Sequence, residues 1–115
     1  MILRAEELNR EVVEKRFGGV GELEIVKLND EKQLQGKGRL FAHNTLRPGA
    51  SLGLHTHNGD VETYYILKGE GIINDNGNRQ PVKAGDVIFT DNGEQHSLEN
   101  TGPGNLEFIA LVIYA

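Results

Sequence analysis

The sequence contains no cysteine among its 115 residues. That absence excludes disulfide bonds, zinc–thiolate sites and thiol nucleophiles. Any metal ion bound by this chain must therefore be held by nitrogen and oxygen ligands. Nitrogen ligands are few, because the chain has only four histidines.

Positive charge is also scarce. Twelve lysine and arginine residues stand against 17 aspartate and glutamate residues, which gives a net charge of −5. No basic stripe with interleaved aromatic residues runs through the chain. Because nucleic-acid backbones are bound largely through positive charge, we expect no nucleic-acid partner.

Long apolar runs are absent as well. No stretch approaches the length of a membrane span, and residues 1–8 lack the apolar core of a signal peptide. We therefore expect a cytoplasmic protein without a membrane partner. The length and an apolar content of 37% fit one globular domain over residues 1–115.

Glycine, in contrast, is abundant. Its 15 copies follow no repeat, which indicates many tight turns and hence many short strands. Residue patterns predict strands at 22–28 and 39–46, and a C-terminal strand at 106–114 with apolar residues on both faces. We expect nine or ten strands in all. Such a pattern is typical of an all-β sandwich or barrel, here preceded by a short irregular or helical N-terminal segment.

One short stretch predicts half of a metal site. His55 and His57 are separated by one residue, and on a strand such residues point to the same face. Their imidazoles would project side by side, with the Cα atoms roughly 6.6 Å apart. Glu62 follows a polar turn at residues 58–61 and can return beside the two histidines.

His96 supplies the other half of this predicted site. It follows a turn at residues 91–93 and lies on a late strand. Three imidazoles and one carboxylate suit a divalent ion of iron, manganese, nickel, copper, cobalt or zinc. Spacing alone also leaves an ordinary alternative open, because an H-x-H pair occurs by chance on many surface strands.

Two segments resemble the signature motifs of the cupin superfamily. The first motif, G-x5-H-x-H-x4-E-x6-G, is matched from Gly49 to Gly69 without a departure. The second, G-x5-P-x-G-x2-H-x3-N, is matched from Gly85 to Asn100, except that Asp91 stands where the motif has proline. Aspartate is itself a good turn residue, so we expect the turn to be kept.

The resemblance implies a cupin-type double-stranded β-helix, or jelly-roll barrel. Its core would span about residues 38–115, with an N-terminal extension at residues 1–37. The glycines of the motifs would lie where the chain turns or crosses closely. Cupins are often homodimers, and the C-terminal strand with two apolar faces also favours a homodimer. One divalent transition metal per chain would be bound by His55, His57, Glu62 and His96.

The resemblance leaves three hypotheses open for the function. The first is a metal-dependent enzyme of the dioxygenase or decarboxylase type that acts on a small polar molecule. The second is a metal-dependent sugar isomerase or epimerase, which would need an acid/base pair such as His43 and Tyr64 in the pocket. The third is a non-catalytic small-molecule-binding or sensor module, since a fold does not imply a function.

Residues outside the ligand set are less constrained. Tyr64 shares the face of Glu62 and could contact a substrate or pack in the core of the barrel. His43 could serve as an acid/base group, because an unperturbed histidine titrates near neutrality, or could pack on the outer face. We predict core positions for Phe41, Phe89 and Phe108, and solvated loop positions for Asp60 and Glu94.

Overall fold

A computed structural model describes every residue from Met1 to Ala115. It contains ten strands, which confirms the all-β prediction. The strands are β1 (Arg10–Glu14), β2 (Glu22–Asn29), β3 (Gly38–Leu46), β4 (Ser51–Thr56), β5 (Asp60–Lys68), β6 (Glu70–Asp75), β7 (Asn78–Lys83), β8 (Val87–Thr90), β9 (Gln95–Asn100) and β10 (Leu106–Tyr114). Two single-turn 3₁₀ helices span Ala5–Glu7 and Arg16–Gly18. No helix is long and apolar enough to cross a membrane.

The strands form two antiparallel sheets. One has six strands in the order β1-β2-β3-β10-β5-β8, and the other has four in the order β4-β9-β6-β7. From β3 onward the chain changes sheets at almost every connection, so that it winds around the space between them. This is the jelly-roll arrangement that the motifs implied.

The N-terminal segment differs in part from the prediction. It is helical only over single turns, and Arg10–Glu14 is a strand at the edge of the larger sheet. β2 confirms the strand predicted at residues 22–28 and pairs with β3, with Leu23 opposite Leu46. Because Leu23 is buried, this segment contributes to the same hydrophobic cluster as the later strands.

Apolar side chains from both sheets form the hydrophobic core. On β10, the residues Leu106, Phe108, Ala110 and Val112 are fully buried, whereas those between them are only partly covered. Full burial of a leucine or phenylalanine side chain contributes about 1.5–3 kcal/mol to the stability of the fold. Because Phe108 is fully buried, its predicted core position is confirmed.

The prediction for Phe89 was wrong. This residue is 54% exposed on β8, the edge strand of the six-stranded sheet. Its neighbours Ile88 and Thr90 are buried, so the two-residue period of the strand turns Phe89 outward. Phe41, also predicted in the core, is only half-buried.

The turns that carry the motif glycines are formed as expected. The turn with Asp91 in place of proline is closed by a hydrogen bond from the Glu94 amide to the Asp91 carbonyl. Gly93 within it has a φ of 86°, a left-handed conformation that favours glycine. The amide of Gly93 donates to the carbonyl of His57, which ties this turn to the end of β4.

Candidate metal site

The four predicted ligands lie together between the two sheets. His55 on β4 and His96 on β9 are directly opposite each other in the four-stranded sheet. His57 is one residue beyond the end of β4, and Glu62 lies on β5 of the other sheet. The jelly-roll winding therefore joins the two halves that the sequence separates by more than 30 positions.

The ligand atoms of these residues converge on one point. The Nε2 atom of His96 lies 3.0 Å from Nε2 of His55 and 3.1 Å from Nε2 of His57. The Oε1 atom of Glu62 lies 3.0 Å from Nε2 of His57 and 3.1 Å from Nε2 of His96. All four ligand atoms lie within 4.8 Å of one another, so the group is positioned to hold a metal ion.

Each imidazole is oriented by a hydrogen bond at its other nitrogen. Nδ1 of His55 donates to the Gly53 carbonyl at 2.8 Å, and Nδ1 of His57 donates to Asp60 Oδ1 at 2.7 Å. Nδ1 of His96 lies 2.7 Å from the hydroxyl oxygen of Thr90. With a metal ion bound, a proton on each Nδ1 would leave the lone pair on Nε2 directed at the common centre, as a metal ligand requires.

The distances within the cluster fit a metal ion. With metal–nitrogen bonds of about 2.1 Å, ligands at right angles are about 3.0 Å apart, whereas tetrahedral ligands are about 3.4 Å apart. Four of the six separations, at 3.0 and 3.1 Å, are those of neighbouring ligands at right angles. Lone pairs brought this close to one another are stabilised by a cation between them.

The charges of the cluster also favour a cation. Burial lowers the pKa of His55 to about 4, so this imidazole stays neutral at pH 7. Burial raises the pKa of Glu62, but hydrogen bonds from His57 and His96 outweigh it and bring the pKa to about 2. In the metal-free protein the bond to Glu62 raises the pKa of His57, so a proton partly takes the place of a cation.

Asp60 is a residue beside the cluster whose contact with His57 the sequence prediction missed. We predicted a solvated loop carboxylate, but the residue is 6% exposed and bonded to His57. Its other oxygen accepts a hydrogen bond of 2.9 Å from Arg39. Burial raises the pKa of Asp60, and the bonds from Arg39 and His57 outweigh it to give a net lowering. The available signal was the three-residue spacing from His57 across a turn, which brings the two side chains together.

A small cavity of about 40 Å³ lies against the cluster. This volume admits about three water molecules, or a ligand of a few non-hydrogen atoms. Asn44 lines it and is only 4% exposed, and its Oδ1 has no hydrogen-bond partner in the protein. A buried carbonyl without a partner favours a ligand or water in the cavity. The sequence signal for Asn44 was a polar residue on the apolar face of β3.

Of the two candidate acid/base residues, only Tyr64 lines the cavity. It is 3% exposed, and its hydroxyl oxygen lies 3.5 Å from Nε2 of His96. Burial, followed by the charge of Glu62, raises the pKa of Tyr64 well above its ordinary value. The phenol is therefore neutral at pH 7 and can donate a hydrogen bond. His43 does not line the cavity, and its Nε2 lies 3.0 Å from Glu107.

The N-terminal segment also reaches the cluster, which the sequence did not indicate. The ring of Phe17 stacks on the imidazole of His55, with centroids 3.7 Å apart and an interplanar angle of 15°. Arg16 and Phe17 both line the cavity. No periodic pattern marks these residues, and the only nearby signal was the glycine cluster that follows them.

Comparison with known proteins agrees with the motifs and the fold. An oxalate-binding protein of Thermotoga maritima is 50% identical over 113 residues, which cover 98% of this chain and 93% of the relative. The crystal structure of a predicted oxalate decarboxylase from Thermotoga maritima is also 50% identical, and it matches over the full length of both chains with a TM-score of 0.95.

More distant structures share the fold alone. The polyketide cyclase RemF from Streptomyces resistomycificus is 22% identical, with a TM-score of 0.78 over 98% of this chain and 78% of its own. The family model of the cupin domain matches residues 42–114, which include both motifs and all four residues of the cluster. With this match, the jelly-roll topology and the near-identical fold of a half-identical relative, the chain belongs to the cupin family.

Proposed function

We propose that the protein binds one divalent transition metal ion through His55, His57, Glu62 and His96. The observation that carries this proposal is the convergence of four ligand atoms whose imidazoles are each oriented by a hydrogen bond at Nδ1. The right-angled separations favour six-coordinate ions such as manganese, iron, cobalt or nickel over tetrahedral zinc. Four protein ligands would leave two positions open for a bound molecule.

The ligand that the site supports best is a small dicarboxylate of the size of oxalate. The relatives described as an oxalate-binding protein and a predicted oxalate decarboxylase point to this chemistry. The 40 Å³ cavity limits the ligand to a few atoms. Arg16, Arg39 and Asn44 in its wall provide hydrogen-bonding groups, and a bound metal ion would supply positive charge for a carboxylate.

Binding is better supported than turnover. Decarboxylation of oxalate to formate and carbon dioxide must place a proton on carbon. Glu62 is the only carboxyl group that lines the cavity, and in the proposed site it is a metal ligand rather than a free acid. Tyr64 is the remaining group there that could move a proton. Decarboxylase activity, favoured by the description of the relative, is therefore the second candidate. The isomerase hypothesis loses its proposed acid/base pair, because His43 lies outside the cavity.

Metal content and oxalate binding test the proposal directly. We expect elemental analysis of protein purified without added metal to show about one equivalent of a transition metal, and the His96→Ala variant to lose it. The matched control is His43→Ala, which removes a histidine outside the cluster and should keep the metal. Isothermal titration should show oxalate binding to the metal-loaded protein alone. Equal metal content in both variants would refute the assignment of the ligands.

The same preparations distinguish binding from catalysis. Metal-loaded protein is incubated with oxalate, under air and without oxygen, and carbon dioxide and formate are measured. We expect oxalate to be recovered unchanged. Release of equal amounts of the two products, lost in the His96→Ala variant, would establish the decarboxylase instead.

We also propose that the protein forms a homodimer through the outer face of the six-stranded sheet. This outer sheet face consists of outward side chains on β5, β8 and β10 that carry no charge: Val61, Thr63, Tyr65, Leu67, Val87, Phe89, Ile109, Leu111 and Ile113. Val87 is 62% exposed and Phe89 is 54% exposed. The charged outward residue of β10, Glu107, is paired with His43 and Lys68. A largely uncharged face on a chain of net charge −5 is suited to a second copy of itself, because a two-fold interface joins identical patches.

Mass measurement in solution tests this interface. We expect a dimer by light scattering at micromolar concentration and a monomer for the Val87→Asp variant. Val12→Asp is the matched control, because Val12 is 55% exposed on β1, at the opposite edge of the same sheet from β8. A monomeric parent protein would refute the dimer, and an unchanged dimer in the Val87→Asp variant would refute its location.

Residues 1–115 are proposed to fold as a single cupin domain. β1 and β2 extend the same sheet as β3, and Leu23 packs in the common core. We therefore expect a fragment that lacks residues 1–37 to unfold at a lower temperature than the whole chain. Independent folding of that fragment with unchanged stability would contradict the proposal.

A further inference from the structure

The N-terminal strap, defined as residues 15–21, crosses the face of β4 beside the metal cluster. Its backbone is hydrogen-bonded to Ser51 in both directions. The Ser51 amide donates to the Val20 carbonyl at 2.8 Å, and the Val20 amide donates to the Ser51 hydroxyl at 3.0 Å. The strap lies close against β4 because position 53 is glycine, where a Cβ atom would collide with the carbonyl of Phe17. The family model of the cupin domain begins at residue 42, after this segment.

Phe17 anchors the strap on the metal cluster. Its backbone is left-handed, with a φ of 55°, a conformation that is strained for a residue other than glycine. The stacking of the Phe17 ring on His55 and the close contact of the Phe17 carbonyl with Gly53 hold Phe17 in this conformation. The guanidinium of Arg16 lies over the Phe17 ring, 4.6 Å from its centroid, a cation–π arrangement that holds the charge beside the cavity that both residues line. Strain held by surrounding contacts is common where a side chain must be positioned for function.

Arg16 is the unpaired positive charge of the cavity. Arg39, the other arginine in the wall, is neutralised by Asp60 at 2.9 Å. Arg16 forms no ion pair in the structure, although it lines the same cavity. Glu62 would offset one of the two charges of a divalent ion, and Arg16 would add one. A cavity loaded in this way carries two net positive charges, which a dianion balances.

We propose that Arg16 binds the second carboxylate of a dianionic ligand, so that the N-terminal strap selects dianions over monoanions of the same shape. The inference rests on the proposed function, in which the first carboxylate is held by the metal. A guanidinium is suited to this role because it presents paired donors in a plane that matches a carboxylate. The cluster would bind the metal ion, and the strap would provide the specificity for dianions.

Oxalate and oxamate form the matched pair of probes for this test. Oxamate has the shape of oxalate but replaces one carboxylate by a neutral amide, so it carries one negative charge. Affinities of both are measured by titration of the metal-loaded parent protein, the Arg16→Gln variant and the Arg79→Gln control. Arg79 lies on β7 and pairs with Glu99 outside the cavity. Metal content and unfolding temperature are recorded for each variant.

We expect Arg16→Gln to weaken oxalate binding by about tenfold to a hundredfold, the effect of losing one charged hydrogen-bonding partner. Its affinity for oxamate should change by less than about threefold, so the preference for the dianion is lost. Metal content should stay unchanged in both variants, and Arg79→Gln should bind both probes like the parent protein.

The outcomes separate this inference from the proposed function. If the parent protein binds oxalate and Arg16→Gln retains the same preference for oxalate over oxamate, the role of Arg16 is refuted and the metal site stands. Equal losses for both probes would also refute it, because they would show general damage to the cavity. If the metal-loaded parent protein binds neither probe, the proposed function fails and the inference fails with it.

Discussion

The interior of this barrel has two halves built on the same strands. The apolar half contains side chains without polar atoms, such as Leu98 on β9 and Ile66 on β5, which are at most 1% exposed. The polar half contains His96 and Glu62, only two and four residues away on those strands and also nearly fully buried. One strand therefore contributes to both halves, and the boundary between them is as short as a single two-residue step.

The two halves obey different rules of packing. In the apolar half, contact with other apolar atoms is sufficient, and burial itself is favourable. In the polar half, each buried nitrogen and oxygen atom needs a partner, because an unpaired one costs about 1–3 kcal/mol. The protein supplies partners on the outer side of the cluster, through Gly53, Asp60 and Thr90. On the inner side the ligand atoms face one another, so this half would be completed by a bound metal ion.

The largest expected effect lies in the apolar half. Leu98→Ala should lower the free energy of unfolding by about 2–5 kcal/mol, because the site is 1% exposed and a cavity would remain. Leu54→Ala is the matched control, since Leu54 is 51% exposed and should change stability by about 0.5 kcal/mol at most. Urea unfolding measures both. Metal content per folded Leu98→Ala molecule should be unchanged, and its loss would show that the halves are not independent.

The next effect lies in the polar half and concerns affinity. Asp60→Asn should weaken metal binding by about tenfold to a hundredfold, because the carboxylate that orients His57 and increases its basicity is removed. Competition with a chelator of known affinity measures the change. Asp30→Asn, at an exposed turn far from the cluster, serves as the control. Unchanged metal affinity in Asp60→Asn would remove Asp60 from the site.

A pH effect should distinguish the halves in the metal-free protein. His55 has a pKa of about 4 when folded and an ordinary value of 6.5, so the unfolded chain binds more protons between these values. Stability should therefore rise as the pH increases from 4 to 6.5. His57 acts above this window, because its pKa is raised from 6.5 in the folded protein. The stability that its proton contributes is lost as the pH rises from 6.5 through that raised pKa.

Urea unfolding with a chelator present, at several pH values from 4 to 6.5, measures this slope. We expect His55→Gln to reduce the slope and His43→Gln to leave it closer to that of the parent protein. A slope in His55→Gln equal to that of the parent protein would show that burial of this imidazole does not govern the acid response.

The smallest expected effect is at Asn44, and a second buried asparagine, Asn100, is its contrast. Asn44→Leu should leave stability unchanged or raise it by about 1 kcal/mol, because it removes a carbonyl without a partner. Asn100→Leu should lower stability by about 2–3 kcal/mol, since its side chain bonds Leu46, Gly102 and Gly104. Thermal unfolding compares the two. Oxalate affinity should fall in Asn44→Leu, and an unchanged affinity would contradict a role in ligand binding.

Much of the fold was predictable because it follows from local patterns. Turn residues and alternation located the strands, including β2 and β3, and the two motifs implied the jelly roll. Phe89 was misplaced because an aromatic residue on a strand predicts the core only if its face is known. That face depends on the register of β8 against β5, where Phe89 lies opposite Thr63.

The residues around the four predicted ligands were harder to predict. Asp60 and Thr90 are ordinary turn and strand residues until the fold brings them to His57 and His96. His43 and Tyr64 were both candidates by residue chemistry, although core packing was an alternative for Tyr64 and an outer-face position for His43. The structure separates them, because β3 and β5 direct one to the outer face and the other to the cavity.

The sequence by itself determined the family, the all-β class and the identity of the four residues at the cluster. These properties depend on residue types at short, regular spacings, which motifs and alternation record. Only the tertiary structure decided that Asp60 orients His57, that Asn44 lacks a partner and that Arg16 reaches the cavity. Such contacts join residues that are distant along the chain or that follow no period, and they arise only when the two sheets and the N-terminal strap are packed together.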